Sequence, residues 1–169
     1  MEGIMISLIL NKMILYFDGD IKRINHALKV LSFAKCIGET EKVSSHKLKS
    51  LEIAAVLHDI GIKLSEIKYG SSAGKYQEIE GPPVALDILS EFDLDKSILD
   101  RIMFLIGNHH TYNKIDDIDF QILVEADFLV NIFEDGMGIN EIESVKSKYF
   151  KTSTGLAILE NMYLHGRAK

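Results

Sequence analysis

Residues 51–61 read Leu-Glu-Ile-Ala-Ala-Val-Leu-His-Asp-Ile-Gly, an apolar run that ends in an imidazole, a carboxylate and a glycine. With Leu48 ahead of it, the positions Leu48, Leu51, Ala54, Ala55 and Leu57 recur at the spacing of a helix face. Ser44 and Ser45 offer a start and Gly61 a stop, so the stretch predicts a helix with His58 and Asp59 near its C-terminal end. Two reactive side chains at the end of an apolar helix invite a pocket.

Working outward, the same periodicity recurs. Upstream, Asp20 is a candidate N-cap for a helix carrying Ile21, Ile24, Leu28, Leu31 and Ala34, ending at Gly38. Ahead of it lies an apolar segment from Ile4 to Phe17, interrupted by Ser7, Asn11 and Lys12. Downstream, Pro82-Pro83 opens a helix filled by Val84, Leu86, Ile88 and Leu89. A further helix with Ile98, Ile102, Leu105 and Ile106 runs out at Asn108-His109-His110. Phe120 to Phe133 reads as another, and Thr154 to Leu164 as a short last one. Strand-like alternation is scarce. The expectation is an all-α fold, a single compact domain of roughly six to eight helices. Within it, 1–19 is an apolar helix packed on the core, 20–135 the core itself, and 136–169 helices that complete the same domain.

Between Tyr69 and Gly81 the periodicity fails, and glycines stand at 70, 74 and 81. This segment is expected to be a polar loop, with Gly70 and Gly74 as hinges of a lid and Tyr76 covering a pocket. Its Gly70-Ser71-Ser72-Ala73-Gly74-Lys75 is not a phosphate-binding P-loop. Only three residues separate the glycines, Tyr76 stands where Ser or Thr should bind magnesium, and no strand precedes it.

Composition narrows the function. The formal charge of −6, from 25 acidic against 19 basic residues, provides no broad basic surface, so nucleic acid is a poor partner. Cys36 is the single cysteine, which excludes an intrachain disulfide or a cysteine metal cluster and fits a cytoplasmic setting. No 18-residue apolar stretch exists, so no membrane span is expected. The segment from Ile4 to Leu15 either packs internally or pairs two subunits of a homodimer.

Any metal must therefore be held by histidines and carboxylates. Asp127 interrupts the most apolar helix between Ala126 and Phe128, and a buried carboxylate there needs a cation or hydrogen bonds. His26 and His58 offer imidazoles and Asp59 and Asp127 offer oxygens, a set that suits Mn, Fe, Co, Ni or Zn better than calcium. Asp59 is also placed to bridge to a neighbouring ion. His109 and His110 serve a second ion or the substrate's phosphate. Arg23 shares a helix face with His26, and Lys63 and Lys75 add point charges for a phosphate. Asn131, one turn beyond Asp127, projects towards the same place. His46 and His165 are read as surface histidines.

Taken together, RINHALKV (23–30), AAVLHDIG (54–61), IGNHHT (106–111) and ILVEADFLVN (122–131) resemble the HD superfamily of metal-dependent phosphohydrolases, over roughly residues 20–135. The resemblance implies an all-helical core around a divalent metal centre of one or two ions, Mg included. It implies hydrolysis of a phosphoester, often in a nucleotide or a related small phosphorylated substrate, by metal-activated water. By this comparison His26, His58, Asp59 and Asp127 match the primary ligands, and His109-His110 match a later histidine pair. Glu80 is the nearest substitute for a further histidine that branches with more ions carry. Lys63 is a displaced match for a lysine after the doublet. The expected catalytic residues are thus Asp59, His109, His110 and Lys63, with Arg23, Lys75, Tyr76 and Asn131 contacting substrate. The glycine-tyrosine-proline motif of the cyclic-dinucleotide branch is missing. Two other functions stay open, a non-catalytic nucleotide or metal sensor and a di-iron oxygenase of related fold.

Overall fold

Asp18 and Gly19, both at positive φ, end the first helix and swing the chain into a second, where the Asp20 carboxylate accepts the backbone N–H of Arg23 at 3.2 Å. The computed structural model describes residues 2–165, and among them the regular elements are all helical. In chain order they are α1 (Glu2–Phe17), α2 (Ile21–Thr40), α3 (Ser45–Leu57), α4 (Ile62–Tyr69), α5 (Gly74–Leu89), α6 (Lys96–Ile106), α7 (Ile118–Glu134), α8 (Ile139–Tyr149) and α9 (Ser153–Leu159). A short 3₁₀ turn at Tyr112–Lys114 and a π turn at Glu160–Leu164 complete them. Nine α-helices exceed the six to eight expected. The additions are α4 and α8, two short helices that carry few apolar residues in register.

The helix that opened the sequence reading is the axis of the fold. Every residue of α3 from Ser50 to Leu57 is buried, because α1, α2, α6 and α7 all pack on it. It is therefore enclosed on all sides over its C-terminal two turns. α2 and α7 lie against each other as well, which carries His26 and Asp127 to the end of α3. One hydrophobic core runs from Ile9 in α1 to Tyr163 after α9. Within α1, Ile9, Met13 and Phe17 are buried, whereas Ile4, Leu8 and Leu15 on other faces are exposed. Among the described residues no helix is long and apolar enough to cross a membrane.

The largest departure from expectation is at 69–81. Gly70, at φ +63°, terminates α4, and only 70–73 connect it to α5. Pro82 and Pro83 do not open a helix; they sit inside α5. Interior prolines remove two N–H donors and cost about 3 kcal/mol each, a penalty that local pattern alone makes prohibitive. Packing of α5 on α4 and α6 overrides it. Glycines allow that packing. A Cβ on Gly61 would lie 2.6 Å from both the Gln77 carbonyl oxygen and the Gly81 nitrogen, so α5 rests directly on the turn after His58-Asp59. In place of the expected loop stands a helical wall packed on that turn.

Candidate metal centre

The last carbonyls of a helix need donors from outside it. His58 caps the end of α3 and its Nδ1 donates to the Ala55 carbonyl at 2.9 Å. His109, just past α6, does the same to Ile106 at 2.8 Å. A carbonyl only accepts, so in each neutral ring the proton sits on Nδ1 and Nε2 keeps its lone pair. His26 lies in mid-helix, and its Nδ1 instead donates to the Glu134 carboxylate at 2.9 Å, across from α2 to the end of α7.

All three Nε2 atoms point inward. That of His26 lies 3.2 Å from that of His58 and 3.1 Å from Asp127 Oδ1. Asp59 Oδ2 is 3.6 Å from each of the same two nitrogens. Its other oxygen, Oδ1, lies 3.5 Å from His109 Nε2, a buried atom with no hydrogen-bond partner among the described residues. Two groups of candidate metal ligands result, His26–His58–Asp59 and Asp59–His109–His110, with donor atoms within 4.8 Å of one another. Asp59 belongs to both.

This is a cluster of acceptors facing acceptors, and such a cluster is stable only around a positive charge. Protons can supply it. Burial alone would depress the His26 imidazole, but the hydrogen bond to Asp127, the charges of Asp59 and Asp127 and the bond to Glu134 raise it to about 9. His58 is likewise pushed up against its burial by Asp59 and Asp127. Burial works to raise Asp59 and Asp127, yet the facing imidazoles hold both well below the usual carboxylate range. His110 goes the other way. Burial and the neighbouring charge of His109 lower it to about 4, leaving a neutral ring at pH 7. A divalent ion supplies the same positive charge, and mixed imidazole and carboxylate donors fit a transition metal.

Beside the cluster opens a cavity of about 250 Å³ lined by His26, Asp59, Arg23, Lys22, Asn131 and Gln77, with Asp20, Ser72, Glu134 and Asp135 at its walls. Of the residues expected from sequence, His26, His58, Asp59, Asp127, His109 and His110 meet here. Asn131 joins them, its Nδ2 donating to Asp127 Oδ1 at 2.9 Å. Arg23 reaches the cavity, held by Asp20 and Glu66 at 2.7 and 2.6 Å. Four others go elsewhere. Lys63 donates to the Tyr16 carbonyl at 2.9 Å and lies over that ring. Glu80 accepts from Lys68 at 2.6 Å and Tyr69 at 2.9 Å, so neither oxygen is offered to the ligand groups. Tyr76 stacks on Tyr69 with centroids 4.2 Å apart, and Lys75 sits over Tyr76. These four therefore form no part of the cluster in the structure.

Sequence reading missed Glu134 and Gln77. Asp127, Asn131 and Glu134 follow at i, i+4 and i+7, so the helical face was legible once Asp127 was chosen. Gln77 donates to the Ser72 carbonyl at 2.7 Å and accepts from His110 Nε2 at 3.2 Å. Reading 69–81 as a loop hid it. As part of α5 it shares a buried face with Gly81, Ala85 and Ile88.

The HD domain family model matches residues 23–134, more than half of the chain, and the chain belongs to that family. It is similar to a crystal structure described as a predicted HD superfamily hydrolase from an uncultured Thermotogales bacterium. The identity is 28%, over 92% of this chain and 83% of the other, with a TM-score of 0.67. A search of curated proteins returns no match. The fold is that of an HD superfamily hydrolase, with its histidines and aspartates gathered as a candidate metal site.

Proposed function

We propose that this chain is a metal-dependent phosphohydrolase that cleaves a phosphoester of a nucleotide or related small phosphorylated metabolite. The observation that carries the reading is the convergence of three imidazole Nε2 atoms and the carboxylates of Asp59 and Asp127 beside a cavity that opens to solvent and that His26 and Asp59 line. His26, His58, Asp59 and Asp127 would hold one ion, and the second oxygen of Asp59 would turn with His109 and His110 to another. Such an ion supplies Lewis acidity towards a phosphoryl oxygen and lowers the pKa of an adjacent water.

The remaining work falls to the chain's own groups. The backbone carbonyls of Ala55 and Ile106 fix two rings before any substrate arrives, so no reorganisation is needed at the moment of reaction. Asn131 holds the Asp127 carboxylate in one orientation. Arg23 and Lys22 place positive charge on the cavity wall, where Lys22 has no ion pair among the described residues. At about 250 Å³ the cavity falls just below the usual range for ligand sites, which supports a compact monoester over a bulkier ligand. Its carboxylates, Asp20, Glu134 and Asp135 beside Asp59, disfavour a highly charged polyphosphate. We place the activity in the cytoplasm, where the single exposed thiol of Cys36 stays reduced.

The test is release of inorganic phosphate from a panel of nucleoside monophosphates and sugar phosphates, with Mn²⁺, Co²⁺ or Mg²⁺ added to chelator-treated protein. Metal-dependent release supports the reading. Absence of release with every metal and substrate, by protein shown to bind the ion, contradicts it and favours a sensor.

A further inference from the structure

The two groups that share Asp59 are supported from behind by different chemistry. In the first, the His26 ring leans on a carboxylate, Glu134 Oε2, and the group faces two further carboxylates, Asp59 and Asp127. In the second, Ile106 supports His109 with a neutral carbonyl, and Gln77 supports His110 with a neutral amide. Within that group only Asp59 is a carboxylate, and the nearby Glu78 accepts from the His110 backbone N–H at 3.0 Å, on the main chain and not behind the ring. The Gln77 amide is not free to turn, because its Nε2 is committed to the Ser72 carbonyl, so Oε1 faces His110 and takes the proton of His110 Nε2. The lone pair of His110 is then on Nδ1. Gly74 brings α5 close enough for this contact, since a Cβ there would lie 2.6 Å from the His110 ring.

An anionic partner behind an imidazole makes the opposite nitrogen a stronger donor, and a neutral partner does so less. We infer that Glu134 and Gln77 are positioning residues, each governing one half of the site. Glu134 makes the His26 half the tight one and Gln77 leaves the His110 half weaker and exchangeable. The inference rests on the reading above that both groups take an ion. Lys29 bonds the other oxygen of Glu134, but it is half exposed, and solvent screens it. Neither residue is assigned a contact with substrate here.

The experiment is calorimetric titration of metal-free protein with Mn²⁺, comparing wild type, Glu134→Gln, Glu134→Ala and Gln77→Leu. The wild type should show two classes of site. Glu134→Ala should weaken the tight class by 10- to 100-fold and leave the weak class within about twofold, the range for a partner behind a metal-bound histidine. Glu134→Gln, which keeps an oxygen but no charge, should recover part of that loss. Gln77→Leu should weaken only the weak class. Glu134 lies at the end of α7 and at the cavity wall, so its variants leave the core untouched. Two equal classes, a single ion, or both variants moving the same class would overturn the inference while leaving a metal site in place. Failure of the wild type to bind any ion would overturn the functional reading along with it.

Discussion

His58 and His109 are aimed by carbonyls three residues behind them, whereas His26 is aimed by a carboxylate 108 residues ahead. The first arrangement is built as soon as a helix ends, from a handful of adjacent residues. The second exists only when α2 and α7 have packed. A site made of both kinds depends on the packing of α2 against α7 for the aim of His26, and on short-range contacts for the aim of His58 and His109.

Asp59 belongs to both ligand groups, so its loss should have the largest effect. Asp59→Asn should lower metal-dependent phosphate release by about 1,000-fold and weaken both classes of ion, since one neutral amide then replaces a carboxylate in each group. Weakening of one class alone would show that the halves do not meet at this residue.

The long-range half carries its own pH signature. In metal-free protein His26 titrates near 9 instead of 6.5, so it binds a proton more tightly folded than unfolded. That contribution is complete below about pH 6.5 and is lost as pH rises through 9. The loss is on the order of 3 kcal/mol, from an imidazole moved from 6.5 to about 9 at about 1.36 kcal/mol per pH unit. Urea unfolding between pH 6 and 9.5 should therefore show stability falling with pH in metal-free protein and a flatter profile with Mn²⁺, which displaces the proton. Glu134→Ala should shrink the slope. A metal-free profile that rises over this range would contradict the assignment.

The turn after the doublet is broken through its backbone. Gly61→Ala drives a Cβ into the Gln77 carbonyl and the Gly81 nitrogen, so α5 must move away from the doublet, at a cost of about 2 kcal/mol by urea unfolding. The smallest effect expected is at Asn131. Its loss frees Asp127 without removing a ligand, and Asn131→Ala should reduce metal affinity about tenfold with little change in stability.

What could be read in the sequence divides along the same line. His58-Asp59 at the end of an apolar run and Asp127 breaking another were legible because a helix period and one misplaced charge are local facts. The course of α6 and α7 followed from the same period. The wall made by α5 was not legible, since Pro82-Pro83 and three glycines argue against a helix until the tight contact of Gly61 with Gly81 is known. Gln77 was lost with it. Lys63 and Glu80 misled because proximity to a motif in sequence says nothing of direction: one side chain turns to Tyr16, the other to Lys68 and Tyr69.

The central claim is that His26, His58, Asp59 and Asp127 share one divalent ion. Anomalous diffraction at the manganese edge, from crystals grown with Mn²⁺, tests it most directly. The account predicts a peak within coordination distance of the Nε2 atoms of His26 and His58 and of both carboxylates. A peak that leaves Asp127 outside its coordination, or none in protein that is otherwise well ordered, would contradict it.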